Sequence, residues 1–459
     1  MLSTAAAVAR LLDATLEGDP SVEIRGVEVD SRRVEAGDLF VALPGVRRDG
    51  HEFVGQALER GAAALVSRDA GLPAPPAGRA LLRVENTLVA YHRLAAGERT
   101  RRPWWVVGLT GSVGKTTTKE ILAALLATRF PTGASEGNRN STLGLPAELL
   151  SQPPEVEVFV AEMGMSHPGE LDTLGRIVRP HVLLYTRIAP AHTEFFPDMD
   201  SVVRAKAELL PHLEEGGVLV LNAADPHQES FAAPQASRTL TYGTPAADVH
   251  ARSVEDRGLL GSRFTLVMDG EEAPVELPLA GAHQVENLLA AAAAASALGL
   301  TAAEVAAVAP ALEAPPRRGR ILHPAQDVRL VDDSYNSSPE ALRRMLELLG
   351  ATPGRRVAVL GEMYELGKLS EEAHAAAGRL AASSCDVLVA VGGQDAMNLA
   401  MAALASERPP SAVHRVGGVE EALGVVRGLL RPGDVILVKG SRGVELDRLV
   451  DALLDGGGS

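Results

Sequence analysis

The sequence predicts an α/β protein of three units. A small α/β unit spans residues 1–103, a central unit on a mainly parallel sheet spans 104–315, and a doubly wound α/β unit spans 316–459. Three observations carry this expectation. At 459 residues the chain is longer than one hydrophobic core serves. Short apolar runs alternate with amphipathic helical stretches along it. Two arginine-rich segments, "GERTRRP" at 97–103 and "EAPPRRGR" at 313–320, break the alternation as linkers, the second because consecutive prolines cannot continue a helix.

In the first unit, strands are expected at 22–29, 38–43, 63–66 and 80–83, with helices near 4–16, 51–60 and 86–97. Arg10 and Asp13 stand inside the opening apolar run, which therefore reads as a helix and not a signal peptide. From 104 the pattern becomes strand, turn and helix, with strands at 104–109, 131–134, 156–161, 182–186 and 217–221. Residues 239–278 read as a strand-rich excursion. The uncharged run "NLLAAAAAASALGLTAA" at 287–303 is mostly alanine, broken by Ser296, Gly299 and Thr301, and reads as two packed helices, not a membrane span. The last unit has strands near 328–331, 355–360, 386–391 and 434–438. There is no internal repeat.

Composition narrows the function. Apolar residues at 46% and charged residues at 22% are the balance of a soluble globular chain. A net charge of -15 argues against a general nucleic-acid or anionic-membrane binder, so an anionic ligand must be held locally. A single cysteine, Cys385, rules out an intrachain disulfide framework and fits a reducing, cytoplasmic setting. Lysine is scarce, at five residues against 39 arginines, so a surviving lysine invites a role that guanidinium cannot fill.

Three motifs carry chemistry. "WWVVGLTGSVGKTTTKEIL" at 104–122 runs from an apolar strand through a glycine turn into a helix, the arrangement of a nucleotide-phosphate cradle. The usual spacing puts its first glycine at position 109, where this chain has Leu109; the glycine is Gly111, which marks a variant loop. Lys115 is the candidate for the β- and γ-phosphates and Thr116 for Mg²⁺. "VEVFVAEMG" ends an apolar strand at Glu162, where an α/β sheet binds ligands and a P-loop ATPase keeps its metal-linked acid. In "RIAPAHTEFFPDMDSVVRAKAELL", His192 follows the next strand, and Lys206 sits mid-helix among apolar residues. Its amine could form a carbamate with CO₂ and ligate a metal, although an exposed helix lysine is the commoner use.

These motifs, with "GNRNSTLGLP", "AEMGMSHPGEL", "GAHQVENLLAA", "DDSYNSSPEA", "GEMYELG" and "LVKGSRG", resemble the Mur ligases of peptidoglycan synthesis over residues 30–445. "DDSYN" and "GEMYELG" point to the branch that joins D-alanyl-D-alanine to UDP-N-acetylmuramoyl-tripeptide. The D-N-P-R signature of the diaminopimelate-adding relative is absent.

The resemblance implies an N-terminal UDP-substrate-binding domain, a central ATP-binding P-loop domain and a C-terminal Rossmann-like ligase domain. It implies ATP and two Mg²⁺ ions, with Thr110, Gly111, Ser112, Val113, Gly114, Lys115, Thr116 and Thr117 cradling phosphate beside Asn138 and Asn140. Thr116, Glu162, His192 and a carbamylated Lys206 would hold the metals. His283 and Asn287 would frame adenine, and Asp333 would take the ribose hydroxyls near Tyr335 and Asn336. Arg320 matches the linker arginine that reaches the phosphates on closure. Lys439, Ser441 and Arg442 would face the reacting ends, and Asp30, Ser31, Arg32 and His51 the UDP-sugar. The resemblance further implies a monomer acting on UDP-MurNAc-tripeptide and D-Ala-D-Ala, without nucleic-acid or membrane partners. The rivals are another Mur-type amide ligase (diaminopimelate- or lysine-adding, or folylpolyglutamate synthetase) and a P-loop switch that performs no ligation.

Overall fold

The computed structural model describes residues 3–45, 48–190, 194–324 and 327–455. Among them stand three main sheets. The first has five strands in the order Thr15–Gly18, Ala80–Val84, Ala63–Ser67, Asp38–Val41 and Gly26–Glu28. All neighbours are parallel except Thr15–Gly18 against Ala80–Val84. Because side chains alternate across a strand, the two faces feed different cores. Leu39, Val41, Leu65 and Leu82 pack with helices Ala5–Leu12 and Thr87–Arg101; Phe40, Ala64, Val66 and Leu81 pack with Val54–Arg60.

The charge-dense 97–103 segment, read as a linker, is mostly helical and packed. Helix Thr87–Arg101 runs through most of it. Glu98 is buried there against Arg101 and Arg102, and buried Arg99 donates to the carbonyls of Val178 and Arg179 in the central unit. Tyr91 and Leu94 share a core with Leu145, Leu149 and Leu174, so the first and central sheets are packed together.

The central sheet has nine strands, ordered Glu271–Leu277, Ser262–Met268, Val249–Asp256, Arg238–Tyr242, Val218–Asn222, Val182–Tyr185, Trp105–Thr110, Val158–Glu162 and Thr132–Ala134. The stretch read as an excursion continues this sheet: Tyr242 pairs in parallel with Val249, after which the last three strands turn antiparallel. The alanine-rich run gives two helices as expected, His283–Ser296 and Ala302–Val308. Ala290 to Ala295 are all buried, sharing a core with Ile121, Leu122 and Leu125 of helix Lys115–Leu126.

The third sheet has six strands, ordered Arg320–Leu322, Arg329–Asp333, Val435–Lys439, Arg356–Gly361, Val387–Val391 and Ala412–Val416. All but the first are parallel. No helix among the described residues is long and apolar enough to cross a membrane.

Candidate active site

Strand Trp105–Thr110 lies between Val182–Tyr185 and Val158–Glu162, so its carboxyl end opens where chain connections leave in different directions. The displaced glycine follows from this geometry. Leu109 is a fully buried strand residue, paired with Glu162 and Leu184 on either side. The turn begins only at Gly111, whose φ is +153° and where a Cβ would collide with Thr186 Oγ1. At Gly114, φ is +87° and a Cβ would press on Asn287 Oδ1. Both positions need the missing side chain.

The loop is braced from within. Lys115 Nζ donates to Gly111 O at 2.8 Å, and Ser112 Oγ donates to Ala189 O at 2.7 Å. The N–H groups of Ser112 and Val113 reach the carbonyl of Arg187 at 2.8 and 3.3 Å. Helix Lys115–Leu126 then starts with its first amides aimed along its axis towards the loop. Desolvation lowers the pKa of Lys115; Glu162 opposes that shift and Arg318 adds to it.

Glu162 closes strand Val158–Glu162 and is 1% exposed. Its N–H donates to Ser135 Oγ at 3.0 Å, and its Oε1 accepts from Asn140 Nδ2 at 2.7 Å. Oε2 is buried without a hydrogen-bond partner among the described residues. An unmatched carboxylate oxygen beside a phosphate-type loop suits a cation, because leaving it bare is costly. Lys206 is buried on helix Met199–Ala207, and burial followed by the charge of Lys115 holds its amine well below the usual lysine range. His192 lies outside the described residues.

A cleft of about 470 Å³ opens over this loop and is closed from the far side by the third sheet. It is lined by Ser112 to Thr117, Asn138, Asn140, Glu162, His283 and Asn287 from the central unit. Asp333, Tyr335, Asn336, Lys439, Ser441 and Arg442 line it from the C-terminal unit. Thr110, Gly111 and Lys206 are buried and do not line the cleft. Asn287 ties the two helices together, accepting from Thr118 Oγ1 at 3.4 Å and donating to Gln284 Oε1 at 2.8 Å. Desolvation and nearby Arg344 push the imidazole of His283 down to about 4.

Asp333 and Lys439 end adjacent parallel strands in register, and Lys439 Nζ meets Asp333 Oδ2 at 2.6 Å and Asn336 O at 2.8 Å. Ser441 Oγ accepts from the N–H of Tyr364 at 2.9 Å. The linker places a different arginine than the motif suggested. Arg318 lies in the cleft, 3.4 Å from Thr116 Oγ1, with its guanidinium 4.0 Å from the Tyr335 ring centroid. Arg320 is outside it, 45% exposed and paired with Glu313 at 3.5 Å. Arg317 at φ +63° and Gly319 at φ +78° turn the backbone so that Arg318 points inward before the strand begins. Three arginines within four residues gave no means of choosing among them; Tyr364, inside the "GEMYELG" motif but assigned no role, and Arg344, outside every motif, also line the cleft.

The N-terminal candidates are elsewhere and engaged locally. Asp30 accepts from Arg32 Nη2 at 2.6 Å, and the hydrogen bonds from Arg32 lower its carboxyl to about 2. Ser31 is buried. His51 contacts Asp49 Oδ1 through Nδ1 at 2.6 Å and accepts from Ser67 N at 2.9 Å.

Comparison with known proteins identifies the family. Family models described as "Mur ligase family, catalytic domain", "Mur ligase middle domain" and "Mur ligase, glutamate ligase domain" match residues 23–99, 109–295 and 317–442. The UDP-N-acetylmuramoyl-tripeptide–D-alanyl-D-alanine ligase of Bacillus subtilis (strain 168) is 32% identical over 453 residues, covering 98% of this chain and 97% of that relative. A crystal structure of MurF from Acinetobacter baumannii superposes with a TM-score of 0.88 at 32% identity, over 99% of each chain. MurF ligase from Thermotoga maritima in complex with ADP gives a TM-score of 0.81 at 30% identity, over 94% of this chain and 97% of that one. The chain belongs to the Mur ligase family.

Proposed function

We propose that this protein is the ATP-dependent ligase that joins D-alanyl-D-alanine to UDP-N-acetylmuramoyl-tripeptide, working as a cytoplasmic monomer with two Mg²⁺ ions. The observation that carries the reading is one cleft. It sets a phosphate-type glycine loop and the unmatched Glu162 oxygen opposite Arg318 and the Asp333–Lys439 pair. The relatives named for this reaction span nearly the whole chain, which supports the same substrates. Residues 1–103 then serve as the UDP-substrate domain, with Asp30, Ser31, Arg32 and His51 towards the UDP-sugar, 104–315 as the ATP domain and 316–459 as the amine-side domain.

A peptide carboxylate is a poor electrophile, and phosphoryl transfer from ATP converts it to an acyl phosphate that the dipeptide amine can attack. The amine addition gives a tetrahedral intermediate, which collapses to amide and phosphate. Lys115 and the amides of residues 110–117 hold the phosphates, with Asn138 beside them. Glu162 and Thr116 suit the first Mg²⁺, and Glu162, His192 and Lys206 the second. Bound there, Mg²⁺ would neutralise charge on the transferring phosphoryl group. The depressed amine of Lys206 favours the neutral form that carbamylation requires. His283 and Asn287 frame the base, and Asp333, Tyr335 and Asn336 the ribose. Arg318, rather than Arg320, reaches the phosphates. Lys439, Ser441 and Arg442 orient the reacting ends, and closure excludes water from the acyl phosphate.

The test is ADP release by purified protein with UDP-MurNAc-tripeptide, with and without D-Ala-D-Ala. Release should require both, and oxygen-18 in the tripeptide's terminal carboxylate should emerge in phosphate. Release that needs free diaminopimelate and ignores the dipeptide would overturn the assignment.

A further inference from the structure

Apart from the groups assigned above, four charged side chains close a ring across the seam between the central and C-terminal units. Arg187 follows strand Val182–Tyr185, and Glu286 lies in the first turn of helix His283–Ser296. Glu340 and Arg344 stand one turn apart on helix Pro339–Ala351. Arg187 Nη1 is 3.8 Å from Glu286 Oε1, and Glu286 Oε2 is 3.2 Å from Arg344 Nη2. Arg344 Nε is 3.0 Å from Glu340 Oε1, which returns to Arg187 Nε at 3.7 Å. Charge alternates around the ring, each carboxylate facing two of its guanidiniums, with Arg343 as a third partner of Glu340 at 2.8 Å outside the ring, and two of the four links cross the seam.

The ring is sheltered and braced. Its side chains are between 13% and 32% exposed, and Asn222 Nδ2 fixes Glu286 Oε1 at 2.6 Å. An isolated surface pair contributes little, but a half-buried cycle of doubly satisfied charges is stiffer than its separate pairs. It also touches the nucleotide machinery at two points. The carbonyl of Arg187 takes the N–H groups of Ser112 and Val113 in the glycine loop, and Arg344 lines the cleft.

We propose that this ring is the clasp that seats the C-terminal unit over the nucleotide cleft, with Arg187, Glu286, Glu340 and Arg344 as positioning residues that link the glycine loop to that seating. The inference rests on the reading above only in taking the cleft to bind an adenine nucleotide. For a ligand that touches both units, the apparent dissociation constant is the intrinsic one divided by the fraction of molecules that are seated. The links that cross the seam form only when the helix carrying Glu340 and Arg344 is in place.

The test uses the full chain and three variants, Arg187→Gln, Glu340→Gln and the double variant. Mg-ADP binding is followed by calorimetry, the radius of gyration by small-angle X-ray scattering, and folding by circular dichroism. Each single variant should bind Mg-ADP about two- to tenfold more weakly, with a larger radius of gyration. The double variant should fall well short of the product of the two losses, because their shared link is removed once. Raising salt from about 0.05 M to about 0.5 M should enlarge the wild-type radius of gyration towards that of the variants, and by more than it enlarges theirs, because they keep only the Glu286–Arg344 link across the seam. Wild-type affinity and dimensions in both singles, or losses that multiply in the double, would overturn the clasp. Should Arg187→Gln fail to fold, Glu340→Gln and the salt series decide alone. A wild type that binds no Mg-ADP would refute the nucleotide reading, while the scattering comparison still judges the clasp.

Discussion

Arg318 and Arg320 are two residues apart, and the structure gives them opposite weights. Truncating Arg318 to Ala removes a guanidinium that faces Thr116 Oγ1 across the cleft and stacks over Tyr335 at 4.0 Å. A hydrogen bond from a charged donor contributes about 1.5 to 3 kcal/mol, and the stacked cation about 0.5 to 2 kcal/mol as the organiser of that geometry. If Arg318 gives one such bond to a phosphate in the transition state, as proposed, its loss converts to about 10- to 150-fold in kcat/KM for ATP. Truncating Arg320 removes an exposed partner of Glu313 at 3.5 Å, a contact worth about 0 to 1 kcal/mol, and activity should stay within about twofold. The assay is initial-rate ADP release at varied ATP with both co-substrates saturating. Equal losses, or a larger loss in Arg320→Ala, would refute the argument and return the role to the arginine that the motif suggested.

Further outcomes follow from buried groups. Lys206→Ala should abolish ligation, with partial recovery on adding short carboxylic acids that replace a carbamate; undiminished activity would remove Lys206 from the site. Asp333→Ala should raise the KM for ATP and also lower the melting temperature. It leaves the 3% exposed ammonium of Lys439 without its carboxylate, a loss of about 3 kcal/mol. An unchanged KM would remove Asp333 from the ribose. The His283 imidazole is held near 4 against about 6.5 when unfolded, so its stability contribution is whole above pH 6.5 and declines as pH falls towards 4. At pH 5 that decline amounts to about 1 to 2 kcal/mol. His283→Gln should flatten this limb of the melting profile; an unaltered pH dependence would contradict it. Burial pushes the Cys385 thiol up to about 12, so thiol reagents should modify it only on unfolding; rapid native labelling would contradict that.

The strands of all three sheets were largely legible because buried parallel strands write themselves as unbroken apolar runs, as in Val387–Val391. The glycine loop and the strand ending at Glu162 were legible for a similar reason, since a local turn and a strand end are encoded by neighbours in sequence. What escaped depends on distant contacts. The segment at 97–103 looks like a solvated linker until Arg99 finds the carbonyls of Val178 and Arg179. Strand Ala412–Val416 is only half-buried at the sheet's edge and lacks the apolar run that marks its neighbours. Arg318 was indistinguishable from Arg317 and Arg320 because the choice is made by two positive φ angles. The ion ring was invisible, its members standing on three segments that are far apart in sequence.

The alanine helix His283–Ser296 has one more consequence. Its methyl groups allow close backbone approach to the helix that begins at Lys115, leaving few rotamers through which the spacing could drift. The residues proposed to grip a nucleotide's base and its phosphates thus sit at the starts of two rods bolted side by side. Span between them is a fixed gauge, and a ligand with a longer or shorter body would fit one end at the expense of the other.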